Sequence, residues 1–301
     1  MHFVTMEIEG EVRIGLTDET HNYVLDLYKA HRVSADGTTW PSTLMEGIEQ
    51  GESFIERVSK LRDWVFTQRD SESYFYEMGE VHLRAPIPRP RKNVFCVGKN
   101  YHDHVLEMGS EGDIPEHIMI FTKAPTSVVG PGAYIQSHED ITDQLDYEGE
   151  LAIVIGKSGN GISIENAFDH VFGYTIVNDI TARDMQKQHK QFFLGKSLDG
   201  SCPMGPAIVH KSVIENPQSL MVETKVNGEI RQHASTKLMM FSIPEIISTI
   251  SKGMTLEPGD IIATGTPAGV GKGFKPPRFL KKGDVVEVTV EKIGTLRNVV
   301  V

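Results

Sequence analysis

"DYEGELAIVIG", Asp146 to Gly156, is the stretch on which the fold turns. Its second half is apolar and largely β-branched, the composition of a strand entering a protein core. Glu148 and Glu150 stand just ahead of that half, with only Gly149 between them. Side chains on a strand alternate faces with a period of two, so the two carboxylates point to the same side. Like charges held together against a core are costly unless a cation lies between them. The stretch therefore predicts a strand-built core and a positive charge at its rim.

Short apolar segments of the same texture lie around it. "NVFCVG", "HIMIFTKAP" and "FGYTIVND" each end in Gly, Pro, Asn or Asp. "LMVETKVNGEIRQHA" is a hairpin signal, because Asn227-Gly228 suits a type I′ turn. "LEPGDIIATGTPAGVG" and "KKGDVVEVTVEKIGTLRNVVV" read as further strands, turning at Pro258-Gly259, Lys282-Gly283 and Gly294-Thr295. "TARDMQKQHKQ" and "SIPEIISTISKG" read as helices. Many short strands without a long strand–helix alternation predict a strand-rich α+β fold: a mixed β-sandwich or rolled sheet with helices outside, not a doubly wound parallel sheet.

Residues 1–85 read as a small N-terminal α/β domain. "MHFVTMEIEGEVRIGL" gives two strands with a turn near Glu9-Gly10. "STLMEGIEQGESFIERVSKLRDWVF" has helical spacing, with Leu44, Ile48, Phe54, Ile55, Val58, Leu61 and Val65 as core candidates. The proline-rich "APIPRPRK" marks a linker at 86–92, and 93–301 is the expected catalytic domain.

Composition narrows the function. A chain of 301 residues with 39% hydrophobic and 24% charged residues is ordinary globular material. A formal charge of −11 argues against nucleic-acid or anionic-membrane partners. No signal peptide or membrane span is legible, and two cysteines, Cys96 and Cys202, make neither a disulfide framework nor a zinc site. A soluble cytoplasmic protein is expected.

A third carboxylate, Asp179, closes "FGYTIVND" and can emerge at the same rim as Glu148 and Glu150. Three carboxylates on two strand ends make a hard, all-oxygen donor set that favours Mg²⁺ or Mn²⁺ over zinc. The same residues also fit a solvated strand edge, with Asp179 capping the "TARDM" helix. Lys196, in "FFLGKSLDGSCPMGP", has apolar neighbours before it and a turn after, as a lysine brought inward would. In "GKNYHDHVLEMG", His104 and Glu107 share a face if the segment is helical, and a carboxylate beside an imidazole orients it as a base. Gly98 and Gly109 bracket that segment as a lid. "GTPAGVGKG", Gly265 to Gly273, imitates a phosphate loop but has the wrong spacing and no Ser or Thr after its lysine. It reads better as a turn offering backbone N–H groups and the Thr266 hydroxyl to a small carboxylate.

In order and spacing, "GKNYHDHVLEMG", "FTKAP", "DYEGELAIVIGK", "FGYTIVNDITARDMQ", "GKSLDGSCPMGP", "VNGEIRQ" and "GDIIATGTPAGVG" resemble the fumarylacetoacetate hydrolase (FAH) family, over roughly residues 90–301. The small preceding domain is most similar to the YisK-like bacterial branch. The resemblance implies an FAH-type sandwich roll and a divalent Mg²⁺ or Mn²⁺ on Glu148, Glu150 and Asp179. It implies Lys196 beside the metal and a His104–Glu107 dyad on a lid that orders with ligand. Arg183, Gln186 and Thr266 fall where relatives meet the substrate, and members are commonly homodimers. The activity it implies is cleavage of the C3–C4 bond of a small 2-oxo acid through a pyruvate enolate, with oxaloacetate decarboxylation first and acylpyruvate (fumarylpyruvate-like) hydrolysis as the alternative. Isomerase and hydratase relatives use similar sites. A metabolite-binding regulator or scaffold, with a protein partner docked on residues 1–85, is the contrasting expectation.

Overall fold

The structure is a computed structural model describing residues 1–34 and 37–301. Gly149–Ile155 lies inside a large mixed sheet, between Val171–Asn178 and Ile261–Ala263. Beyond Ile261–Ala263 the sheet continues to Val94–Gly98 and Met119–Lys123. On the other side it runs through Cys202–His210 to His2–Ile8, Glu11–Thr17, Tyr23–Asp26 and Phe75–Glu77. Most neighbours are antiparallel, as hairpin-rich connections require, while Ile261–Ala263 and Val94–Gly98 run parallel. A second, five-stranded sheet is built from Glu229–Ser235, Met221–Val226, Val285–Val290, Gly294–Val300 and Tyr134–Ile135. The fold is a strand-rich α+β sandwich.

The apolar run of Gly149–Ile155 has its reason in this layering. Leu151, Ile153 and Ile155 face the second sheet, sharing a core with Val222, Val286, Val288 and the helix Ile243–Ser251. Ala152 and Val154 face the opposite core, with Phe3, Leu25, Phe54 and Val58. A strand covered on both sides needs no polar alternation. The parity places Gly149 toward the second sheet and both glutamates away from it. A Cβ on Gly149 would lie 2.2 Å from Thr224 Oγ1 and 2.8 Å from Val288 Cγ1, so sheet-to-sheet contact demands glycine here.

Residues 1–85 join the same layers. His2–Ile8 pairs antiparallel with Cys202–His210, and the helices Leu44–Glu49 and Glu52–Thr67 pack on the sheet through Leu44, Ile48, Phe54, Val58, Leu61 and Val65. The helical pattern splits at Gly51, which has a φ of 59°. Ile55, expected in the core, is half-buried and packs against its edge. The first hairpin turns at Glu9 and Gly10, both with positive φ, as a type I′ turn requires. Ala85 and Ile87 of the proline-rich segment are buried, and Thr5 Oγ1 donates to Pro86 O at 2.7 Å. Among the described residues no helix is long and apolar enough to cross a membrane.

Candidate metal centre

Strand register assembles the carboxylates. Gly149 pairs with Asn178 and Glu150 with Val177; one step further, Asp179 N donates to Glu148 O at 2.8 Å. Asp179 therefore lies opposite Glu148, on the face that Glu150 shares. One oxygen from each of Glu148, Glu150 and Asp179 lies within 4.8 Å of the other two, and all three side chains are buried. This is not the solvated edge the spacing also allowed. Nor does Asp179 cap the next helix, which runs Arg183–Gln188 with Ala182 at its N-cap.

Three buried cations surround the triad. Lys196 Nζ donates to Glu148 Oε2 at 2.8 Å and Asp179 Oδ2 at 2.7 Å, while 2% exposed. The Arg183 guanidinium lies 2.7 Å from Glu148 Oε1 and donates through Nε to Asp146 Oδ2 at 2.9 Å. Lys123, fully buried, donates to Asp179 Oδ1 at 2.8 Å, to Ile180 O at 3.0 Å and to Lys196 O. Burial pushes the Glu148 carboxyl up, but the charges of Lys196 and Arg183 outweigh it and hold the group well below the usual range.

Glu150 is different. It is 1% exposed and accepts one hydrogen bond, from Gly265 N at 2.7 Å; among the described residues it has no cationic partner. Burial, then the charges of Asp179 and Glu148, push its carboxyl well above the ordinary value. Among the described residues, Asp146, Glu148, Glu150 and Asp179 make ion pairs with only three cations, Lys123, Arg183 and Lys196, so four buried carboxyls share three positive charges. A hard divalent cation shared by the three carboxylates fits that deficit, and these residues can hold one.

The glycine-rich turn is organised otherwise than its sequence suggests. Its N–H groups go to the protein's own carboxylates: Gly265 to Glu150, Gly269 to Glu107 at 2.9 and 3.0 Å, and Gly271 and Lys272 to Asp146 at 2.7 and 3.1 Å. Thr266 Oγ1 donates to Gly149 O and accepts from Gln232, so it lines the cavity with its hydroxyl already engaged. One turn thereby fixes a carboxylate of the triad, the Asp146–Arg183 pair and Glu107.

The segment expected to act as a lid is the helix His102–Met108. His104 Nδ1 lies 3.4 Å from Glu107 Oε2, and Glu107 seats the helix on Gly269. His104, Met108, Glu148, Glu150, Arg183, Gln186, Lys196 and Thr266 border one cavity of about 220 Å³. The structure thus brings all nine sequence-predicted residues to one place, with Asp179 and Glu107 reached through Lys196 and His104.

Lys123 and Asp146 were not singled out from sequence. The signals were there: a lysine closing the apolar strand Met119–Lys123, and an aspartate two residues before Glu148, hence on its face. Lys123→Met should lower stability by about 3–5 kcal/mol, because Asp179 stays buried with one cation fewer. Denaturant unfolding of the chelated protein measures this, and a loss under about 1 kcal/mol would contradict it.

Residues 93–301 match the family model for the C-terminal part of fumarylacetoacetate (FAA) hydrolase. The chain is 58% identical over 299 residues to the oxaloacetate tautomerase YisK of Bacillus subtilis, covering 99% of each. Its structure is similar to a fumarylacetoacetate hydrolase from the psychrophile Exiguobacterium antarcticum, with a TM-score of 0.82 and 46% identity over 100% of this chain and 99% of that one. A 2-hydroxyhepta-2,4-diene-1,7-dioate isomerase from Mycobacterium marinum is also similar, with a TM-score of 0.73 and 32% identity over 100% and 98%.

Proposed function

The chain belongs to the fumarylacetoacetate hydrolase family, and from that premise we propose that it interconverts the keto and enol forms of oxaloacetate with Mg²⁺ or Mn²⁺ held by Glu148, Glu150 and Asp179. The observation that carries this reading is the meeting of two devices in one small cavity. One is a carboxylate triad short of one cation; the other is an imidazole–carboxylate pair. The name of the Bacillus subtilis relative points to the same substrate.

A divalent ion supplies Lewis acidity toward the carboxylate and keto oxygens of a 2-oxo acid. The remaining work falls to side chains. With its Nδ1–H turned to Glu107, His104 keeps Nε2 free to take the C3 proton. The C–H electron pair becomes the C2–C3 double bond, and negative charge moves to the C2 oxygen. Lys196, kept ammonium by Asp179 and Glu148 against the cost of burial, offsets that charge. Transfer of that same proton from the His104 imidazolium to the C2 oxygen gives the enol and restores the neutral base, and the reverse sequence gives the keto acid. Arg183 acts as a clamp, fixing Glu148 through one nitrogen and Gln186 through another at 3.4 Å.

Oxaloacetate decarboxylation, the reaction the resemblance put first, is the second reading. Loss of CO₂ places a pyruvate enolate beside the same Lys196, but takes no proton from C3. The two separate in one experiment: enol absorbance and pyruvate release are followed together, with Mg²⁺ or Mn²⁺ and with chelator, against a metal-only blank. Tautomerisation above the blank and abolished by chelator is expected. Pyruvate release without faster tautomerisation would replace this reading with a decarboxylase.

A further inference from the structure

The cations of the cavity are mostly spoken for. Lys196 is bound to Glu148 and Asp179, Arg183 to Asp146 and Glu148, and Lys99 at the lip lies 3.5 Å from Asp113. Lys272 differs: it borders the cavity half-buried, and its ammonium makes no hydrogen bond or ion pair with any described residue. Its backbone is fixed, because Lys272 N and Gly271 N both donate to the buried Asp146. Lys187, exposed on the helix Arg183–Gln188, borders the same cavity and is likewise without a counter-ion.

A half-buried ammonium held among other cations is unfavourable unless the site is built to receive an anion. Burial first, then the charge of Arg183, depresses the Lys272 pKa; Lys187 adds to this, and Asp146 opposes it only in part. The triad and its ion supply one place for an anionic group, so a second cationic place on the wall implies a ligand with two. At about 220 Å³ the cavity is smaller than the ~300–1,000 Å³ typical of drug-sized ligands.

We propose that Lys272, supported by Lys187, forms a second anion subsite that takes the distal carboxylate of a short dicarboxylate and selects diacids over monoacid 2-oxo acids. This rests on the reading of the cavity as a 2-oxo acid site. Lys272 is a specificity residue here, and the glycine-rich turn sets its position.

The test compares, by calorimetry in the presence of Mg²⁺, two ligands that cannot enolise. Oxalate presents only a chelating end, whereas 3,3-difluorooxaloacetate adds a distal carboxylate and has no C3 proton to lose. Lys272→Gln should weaken difluorooxaloacetate roughly 10- to 100-fold, the effect of losing one charge-assisted hydrogen bond, and leave oxalate within about twofold. Lys272→Arg should restore most of the loss, and unchanged oxalate affinity certifies the fold of each variant. Equal effects on the two ligands, or none on either, would overturn the subsite. Discrimination between the ligands in a protein without tautomerase turnover would sink the proposed reaction and uphold the subsite. A wild type that binds neither would overturn both.

Discussion

Glu148→Ala and Glu150→Ala should each lower oxaloacetate tautomerisation by more than about 10³-fold, since a divalent ion outweighs the ~10²–10³ of a single oxyanion donor. The two variants should nonetheless differ as proteins. Glu148 holds Lys196 and the Arg183 guanidinium, so its removal leaves two buried cations short of a partner. That should cost about 3–5 kcal/mol of stability. Glu150 holds no cation, and Glu150→Gln removes a buried ionisable carboxyl while keeping an oxygen for Gly265 N. In chelator this variant should be more stable than wild type.

The sign with pH follows from the raised Glu150 carboxyl. Above its ordinary value the folded, metal-free protein binds a proton that the unfolded chain has lost. Its contribution is therefore full below that value and is lost as pH rises through the raised one. Glu148, held low, contributes in the opposite sense: its stabilisation is present above the ordinary carboxylate range and lost only in acid. Thermal melts in chelator between roughly pH 5 and 8 separate these, because Glu150→Gln should remove the decline toward high pH. A variant less stable than wild type throughout would mean that Glu150 is compensated in some other way.

Where alternation alone fixes geometry, the sequence was legible. The face shared by Glu148 and Glu150, the Glu9-Gly10 and Asn227-Gly228 turns, and the His104–Glu107 spacing each depend on a few neighbouring residues. Asp179 was legible as a strand end; its position opposite Glu148 depends on pairing register, which no local pattern specifies. The need for glycine at 149 was not legible, because Thr224 and Val288 come from another sheet. The glycine-rich turn was read as open to a ligand. Nothing in "GTPAGVGKG" reveals that Glu107, Asp146 and Glu150 converge on it from three other segments.

That convergence ties the lid to the triad. Gly265 and Gly269 are four residues apart on one turn, the first donating to Glu150 and the second to Glu107. A Cβ on Gly269 would lie 1.9 Å from Arg231 O, and its φ is 107°, so the backbone there has little freedom to reposition. The proposed base and the carboxylates are thus referenced to one segment, as proton transfer within a fixed geometry requires.

His104→Ala should then lower tautomerisation about 10²–10⁴-fold, the usual contribution of a positioned general base, while Mg²⁺ and oxalate still bind. The triad keeps all its hydrogen bonds in this variant, and Glu107 keeps Gly269 N, so the lid stays seated. Glu107→Gln should cost about as much, because once its side-chain oxygen accepts from Gly269 N its amide NH2 faces His104 Nδ1 and favours the tautomer that carries its proton on Nε2. Pyruvate release is the internal control. It needs no proton taken from C3, so any decarboxylation the wild type supports should survive His104→Ala. Loss of the two activities in parallel would show that His104 holds the substrate rather than moving its proton, and the base would have to be sought elsewhere in the cavity.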